Sequence, residues 1–267
     1  MSAQPSGAAA PAPWFQALNL EAPWLQPYRP HLPTALDLLH QGQGVAQVLN
    51  ALASVQVKAG GPAPSVRFVA QADLPAGEPY ERFIWEQRQV PTRDNAHDFF
   101  NGLAWLVFPH TKARLNELQA GQIAARGVGA TRGALRDALT LFDENAALMM
   151  APAELMQALR QRQWQRLFLE LRPLWAQAQV LLFGHAAQEK LLHPRKAITV
   201  HVYQPGAVLA VGEQLDARLA ADLDPTRLAE KPYAPLPILG VPHWWPENEC
   251  PGFYADASVF RVPAGGS

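Results

Sequence analysis

Cysteine is almost absent from this sequence, and that absence limits the kinds of site the chain can build. Cys250 is the only cysteine among 267 residues, so the chain can form neither an internal disulfide nor a zinc site made of several thiolates. A metal ion would therefore need histidine and carboxylate ligands. A Gly-x-Ser-x-Gly elbow and a glycine-rich phosphate-binding loop are also missing, which argues against enzymes built on those motifs.

The sequence also lacks an excess of positive charge and a long apolar run. The 22 lysines and arginines are offset by 23 aspartates and glutamates, which gives a formal net charge of −1. We therefore expect no nucleic-acid partner, because the attraction for a phosphate backbone is weak. No stretch approaches the roughly 20 apolar residues of a membrane span, so we expect no membrane partner. Residues 1–13 carry no signal-peptide pattern and are predicted to be a disordered lead-in, which favours a cytoplasmic location.

Residues 14–262 predict a single compact domain of the α+β class in which helices predominate. Short runs of Val, Ile and Leu predict one or two small β-sheets or hairpins. The Pro-rich residues 232–263 predict an extended C-terminal segment that packs on the body through its aromatic residues. Two more elements are predicted: a hairpin over residues 139–150, and a long amphipathic helix from Pro152 to about Pro173.

The most informative segment is a predicted helix that begins after Asn95. Asn95 is a good N-cap, and Asp98, three residues later, matches the acidic partner of a capping box. His97, Asn101 and Trp105 follow at intervals of four residues and therefore share one stripe of an otherwise apolar helix. Because buried polar groups need partners, this stripe either faces a polar cleft or contains a satisfied core histidine.

Imidazoles and carboxylates recur at three separate places along the chain. The candidate catalytic residues are His97, Asp98, Asn101, Asp143 and Glu144, and the candidate metal ligands are His185 and Glu189. Imidazole and carboxylate one helical turn apart can reach the same divalent cation, the only cofactor that the sequence suggests, and its bound water could attack an ester, amide or phosphate. The alternative is that these groups cap helices and hydrogen-bond buried backbone.

Basic residues near these carboxylates form the second half of the predicted site. The candidate substrate-binding residues are Arg93, Lys112 and Arg136. They could hold an anionic group of a substrate, or they could neutralise acidic residues such as Asp137 and Asp143 in structural ion pairs.

Four ordered blocks of sequence resemble a family catalogued as domain of unknown function 3025. They are VPTRDNAHDFFNGLAWLVFPHTK (90–112), RDALTLFDEN (136–145), FGHAAQEKLL (183–192) and ILGVPHWWPENECPGFYADASVFR (238–261). The resemblance implies one compact domain from about Trp14 to Val262 and a bacterial source, and it implies no particular reaction. Two residues depart from the family pattern: Ala146 and His243 stand where glycines are usual.

Two functional hypotheses of different classes follow from these residues. In the first, the chain is a hydrolase with a His/Asp/Glu cleft, with or without a metal ion, that acts on an anionic substrate. In the second, it is a non-catalytic binding or scaffold protein whose polar residues form a structural hydrogen-bond network. A small molecule or a peptide is the expected ligand. The first hypothesis requires His97, Asp143 and His185 to meet at an opening to solvent.

Overall fold

The computed structural model of the protein describes residues 13–61, 64–126, 133–206, 212 and 214–262. Its helices are α1 (Leu32–His40), α2 (Val45–Lys58), α3 (Tyr80–Gln87), α4 (Ala96–Val107), α5 (Pro109–Arg126), α6 (Ala134–Asn145), α7 (Ala153–Arg160), α8 (His185–Lys190), α9 (Leu215–Asp222) and α10 (Pro225–Ala229). Its strands are β1 (Arg67–Ala70), β2 (Gln89–Thr92), β3 (Ala146–Met150), β4 (Gln179–Leu182), β5 (Thr199–Tyr203) and β6 (Tyr233–Pro237). The predicted α+β class with a helical majority and small sheets is confirmed. The predicted lead-in lies outside the described residues, apart from Pro13.

The strands form two small sheets. β1 and β2 pair in parallel, and the larger sheet has the order β4-β3-β5-β6. Within the larger sheet β3 runs antiparallel to β4 and parallel to β5, and β5 runs antiparallel to β6. The start of β3 therefore lies beside the end of β4. This pairing brings the last turn of α6, which precedes β3, to the first turn of α8, which follows β4.

The predicted hairpin over residues 139–150 is wrong in its first half. Residues 139–145 belong to α6, and only Ala146–Met150 form a strand. Ala138, Leu139 and Phe142 are fully buried, which is the spacing of a helix face rather than the alternation of a strand. Asp143 and Glu144 therefore lie in the last turn of a helix and not in a hairpin turn.

The long helix predicted after Pro152 is also wrong, because α7 ends at Arg160. Arg162 adopts a left-handed backbone conformation with φ of 52°, which an α-helix cannot contain. The chain continues as a π-helical turn (Arg166–Glu170) and a 3-10 turn (Arg172–Gln177). The apolar residues that suggested one helix are thus distributed over three short elements that pack on the same core.

The C-terminal segment packs on the body, as expected, but it is extended only in part. It begins as β6 and continues through 3-10 turns over Ile238–Gly240, Pro246–Glu249 and Pro251–Ala255. Trp164 donates from Nε1 to the carbonyl of Arg261 at 2.8 Å, and Tyr254 donates to the carbonyl of Gly240 at 2.9 Å. The first bond attaches the end of the segment to the body, and the second joins two turns within the segment.

Residues before β1 belong to the same hydrophobic core as the rest of the fold. The buried Tyr28 hydroxyl donates to the carbonyl of Leu182 at 3.0 Å, at the end of β4. Trp14 packs on Phe99 of α4 with ring centroids 5.0 Å apart. Among the described residues, no helix combines the length and apolar character needed to cross a bilayer.

Candidate functional site

An open cleft of about 410 Å³ lies where the end of α6 meets the start of α8. The predicted site residues that line it are Arg93, His97, Asp98, Asn101, Arg136, Asp143, Glu144 and His185. Lys112 and Glu189 do not line the cleft but contact residues that do. Three distant parts of the chain therefore converge on one opening to solvent.

Gly184 allows α8 to approach α6 closely enough to form the site. A Cβ atom at residue 184 would lie 2.5 Å from main-chain atoms of Asn145 and from the carbonyl oxygen of Glu144. Any larger residue would push the two helices apart. With glycine there, Nδ1 of His185 lies 3.9 Å from Oδ2 of Asp143.

One face of α6 supplies much of the polar lining. Arg136, Thr140, Asp143 and Glu144 recur at spacings of three and four residues, so they share the side of the helix that faces the cleft. The carboxylate of Glu144 and the guanidinium of Arg136 make no hydrogen bond or ion pair within the described residues. These two groups are therefore available to a ligand.

Asp143 is held as a carboxylate by a buried cation. Nζ of Lys112, which is only 4% exposed, donates to Oδ1 of Asp143 at 2.5 Å. Burial opposes ionisation of Asp143, but Lys112 and the nearby His185 outweigh it, so the pKa of Asp143 lies below its usual value. Oδ2 accepts no hydrogen bond within the part of the chain that the structure describes.

Two histidines meet edge to face beside Asp143. Nε2 of His185 lies 3.1 Å from Nε2 of His97, and Nδ1 of His97 lies 2.9 Å from Oε2 of Glu189. If both Nε2 atoms were unprotonated, their lone pairs would repel at this distance. One of the two Nε2 atoms must therefore carry a proton and donate it in a hydrogen bond to the other. Burial lowers the pKa of His185 to about 4, although the Asp143 carboxylate opposes the change. His185 is therefore neutral at pH 7.

Asn101 and Lys112 hydrogen-bond to each other. Nζ of Lys112 donates to Oδ1 of Asn101 at 2.8 Å, and Nδ2 of Asn101 donates to the hydroxyl of Tyr80 at 3.2 Å. Lys112 also lies 5.5 Å from the ring centroid of Trp105, the third residue of the predicted stripe. Of the two alternatives that the sequence leaves open for Lys112, its contacts match the one in which it neutralises Asp143.

Asp98 pairs with Arg93 and does not complete a capping box. Asn95 caps α4 as predicted, since its side chain accepts from the main-chain NH of Asp98 at 2.8 Å. The carboxylate of Asp98, however, accepts from the main-chain NH of Arg93 at 2.7 Å and from its guanidinium at 2.8 and 3.1 Å. This fork contact turns the chain from β2 into α4 and leaves Asp98 without a free oxygen.

The structure adds one carboxylate that the sequence analysis missed. Glu81, in the first turn of α3, lines the cleft and accepts at Oε2 from Nδ2 of the buried Asn116 at 2.7 Å. Burial is the main cause that raises the pKa of Glu81 to about 7, and the Asp143 carboxylate acts in the same direction. Nothing in the local sequence marks Glu81, because its partners come from α5 and α6.

The two predicted metal ligands, His185 and Glu189, are joined through His97. His97 contacts both His185 and Glu189, so it stands between the two predicted ligands. No group of three or more His, Cys, Asp or Glu side chains suited to one metal ion occurs in the described ranges. Glu189 and Nε2 of His185 are engaged by His97, whereas Nδ1 of His185 is buried and makes no hydrogen bond within the described residues.

Comparison with known proteins places the chain in a family but gives no function. Searches of curated proteins and of solved structures found no match. His243 adopts a left-handed φ of 66°, a conformation that favours glycine, whereas Ala146 lies in ordinary extended backbone. A family model described as "Protein of unknown function (DUF3025)" matches residues 66–263, well over half of the chain. The protein therefore belongs to the DUF3025 family.

Proposed function

We propose that the cleft is the active site of a hydrolase that cleaves a small anionic substrate, with Asp143 as the base that activates water. The state of the Asp143 carboxylate carries this proposal. Lys112 occupies Oδ1, whereas Oδ2 accepts no hydrogen bond within the described residues and belongs to a side chain that lines an open cleft. A carboxylate oxygen that is held in place and faces an open cleft can accept a hydrogen bond from a bound water or a ligand, as a general base must.

Asp143 is suited to accept a proton because its neighbours keep it ionised. Its lowered pKa means that the basic form is present throughout the neutral range. A general base of this kind contributes about 10²–10⁴-fold to a rate. Water would add to the electrophilic carbon or phosphorus while Oδ2 takes its proton, and the bond to the leaving atom would then break.

His185, His97 and Glu189 act in this proposal as positioning residues. Glu189 accepts the proton on Nδ1 of His97, and His97 in turn shares a proton with His185. This chain holds the imidazole of His185 with its Nδ1 3.9 Å from Oδ2 of Asp143, while Lys112 holds the carboxylate through Oδ1.

The proposed substrate is anionic and small. Arg136 has no partner of its own within the described residues, and the guanidinium of Arg93 is 58% exposed at the cleft edge. A guanidinium binds carboxylate and phosphate groups with paired hydrogen bonds. The cleft volume of about 410 Å³ matches a small molecule. The single cysteine supports a cytoplasmic location.

The test is hydrolysis of three chromogenic probes by the wild type and by Asp143→Asn. The probes are p-nitrophenyl phosphate, p-nitrophenyl glucuronide and, as a neutral reference, p-nitrophenyl acetate. Asp137→Asn is the matched control, because Asp137 lies on the same helix, is 45% exposed and makes only a surface ion pair. We expect an anionic probe to be hydrolysed and Asp143→Asn to lose at least about 100-fold in kcat.

Two outcomes would overturn the proposal. One is a wild type that turns over no probe above the uncatalysed rate, and the other is equal activity in Asp143→Asn and Asp137→Asn. Either result would favour the scaffold hypothesis, in which Asp143 and Lys112 serve only to join α5 and α6. Metal analysis of the untagged protein belongs in the same experiment, since a stoichiometric metal lost in His185→Ala would return His185 to the role of ligand.

A further inference from the structure

We infer that Glu81 is the proton donor to the leaving group, so that the substrates are anions whose leaving atom is an unactivated alcohol oxygen or amine nitrogen. The inference rests on the proposed function and goes beyond it, because it adds a second reacting residue and defines the bond that is cleaved. A bond to such an atom breaks slowly in water unless the departing group receives a proton.

Glu81 is held with one oxygen fixed and one oxygen free. Nδ2 of Asn116, a residue only 2% exposed, donates to Oε2 of Glu81 at 2.7 Å and to its main-chain carbonyl at 2.8 Å. Oε1 makes no hydrogen bond in the described portion of the chain, and the residue lines the same cleft as Asp143. This arrangement presents a carboxyl oxygen to a ligand from the α3 side.

The two carboxyl groups differ because their surroundings differ. Lys112 donates directly to Asp143, whereas Glu81 is half-buried and receives only a neutral amide donor. Burial and the Asp143 carboxylate raise the pKa of Glu81, Lys112, Asn116 and Arg136 lower it, and the result is a pKa of about 7. One acid that keeps its proton beside one that does not is the pattern of an acid and base pair.

The proposed step balances with these two residues and one water. The water oxygen forms a bond to the electrophilic carbon or phosphorus, and its proton goes to Oδ2 of Asp143. The bond between that atom and the leaving oxygen or nitrogen breaks with its electron pair going to the leaving atom. Glu81 gives its proton to that atom, and the two carboxyl groups then return to their starting states by proton exchange with solvent.

The experiment compares leaving groups in wild type and Glu81→Gln. Each active p-nitrophenyl probe is paired with its phenyl analogue, since phenol is the poorer leaving group and needs the proton more. We expect Glu81→Gln to lower kcat for the phenyl substrate at least about 100-fold and for the p-nitrophenyl substrate less than about 10-fold. Glu86→Gln is the control, because Glu86 lies on the same helix and its side chain is 54% exposed.

The outcomes separate this inference from the proposed function. If wild type hydrolyses the probes but Glu81→Gln affects both leaving groups equally, or neither, the inference is overturned and the role of Asp143 stands. If wild type hydrolyses nothing, both are overturned. A ¹³C NMR titration of the wild-type Glu81 carboxyl carbon does not depend on how the variant folds. A midpoint near 7 supports the inference, and a midpoint near the ordinary value of about 4.3 contradicts it.

Discussion

Two carboxyl groups on one cleft show how strongly single neighbours decide the behaviour of a side chain. Asp143 has a buried lysine as partner and is ionised, whereas Glu81 has an amide and a carboxylate nearby and has a raised pKa. The same two residues exposed on a surface would be equivalent. Their difference is therefore a property of contacts that come from α5 and α6, not of residue type.

The ion pair between Lys112 and Asp143 makes a prediction about stability. Lys112→Met removes the cation and leaves a buried carboxylate, so we expect a loss of about 3–5 kcal/mol in the free energy of unfolding at pH 7. Lys231→Met is the control, because Lys231 pairs with Asp137 on the surface at 3.9 Å and should cost less than about 1 kcal/mol. Urea denaturation measures both.

The pH dependence of that loss follows from the direction of the pKa shift. The pKa of Asp143 is lower in the folded than in the unfolded protein. The ionised carboxylate therefore contributes fully to the free energy of unfolding above the unfolded pKa of about 3.9, and this contribution is lost as the pH falls through the folded pKa. The difference between wild type and Lys112→Met should therefore shrink at acidic pH. Equal losses in Lys112→Met and Lys231→Met would contradict the structural account of this pair.

At the scale of the elements, the site depends on how closely α8 follows β4 and approaches α6. Gly184→Ala would place a Cβ atom 2.5 Å from main-chain atoms that cannot easily move, so we expect a loss of about 3 kcal/mol and a fall in hydrolysis. Gly121→Ala is the control, since Gly121 lies within α5 and a Cβ there meets nothing within 4 Å. It should raise stability by about 0.5–1 kcal/mol. Thermal unfolding measures the stability of both variants. A Gly184→Ala variant as stable as the wild type would contradict the claim that the close approach of α8 to α6 requires glycine at this residue.

Elements whose signals are local could be predicted from the sequence. The Asn95 cap, the stripe of His97, Asn101 and Trp105, and the α+β class are examples. The first half of the predicted hairpin failed because a short apolar run fits a strand or a buried helix equally well, and only tertiary contacts decide. Glu81 could not be predicted at all, because its neighbours are distant in sequence.

At the scale of the whole molecule, the N-terminal residues and the family-matched region form one core. The family model begins at residue 66, yet Tyr28 bonds to the end of β4 and Trp14 packs on α4. The end of β4 leads directly to Gly184 and His185. The residues before the matched region therefore support the cleft.

The pH dependence of kcat/KM for an anionic probe tests most directly whether Asp143 is the base. If Asp143 takes the proton from water, the rate should stay level as the pH is lowered through the histidine range. On this acidic side it should fall only below the ordinary aspartate pKa of about 3.9, as the carboxylate is protonated. Asp143→Asn should lack this activity at every pH. A rate that instead falls between about pH 7 and 6 would assign the base to an imidazole and contradict the account.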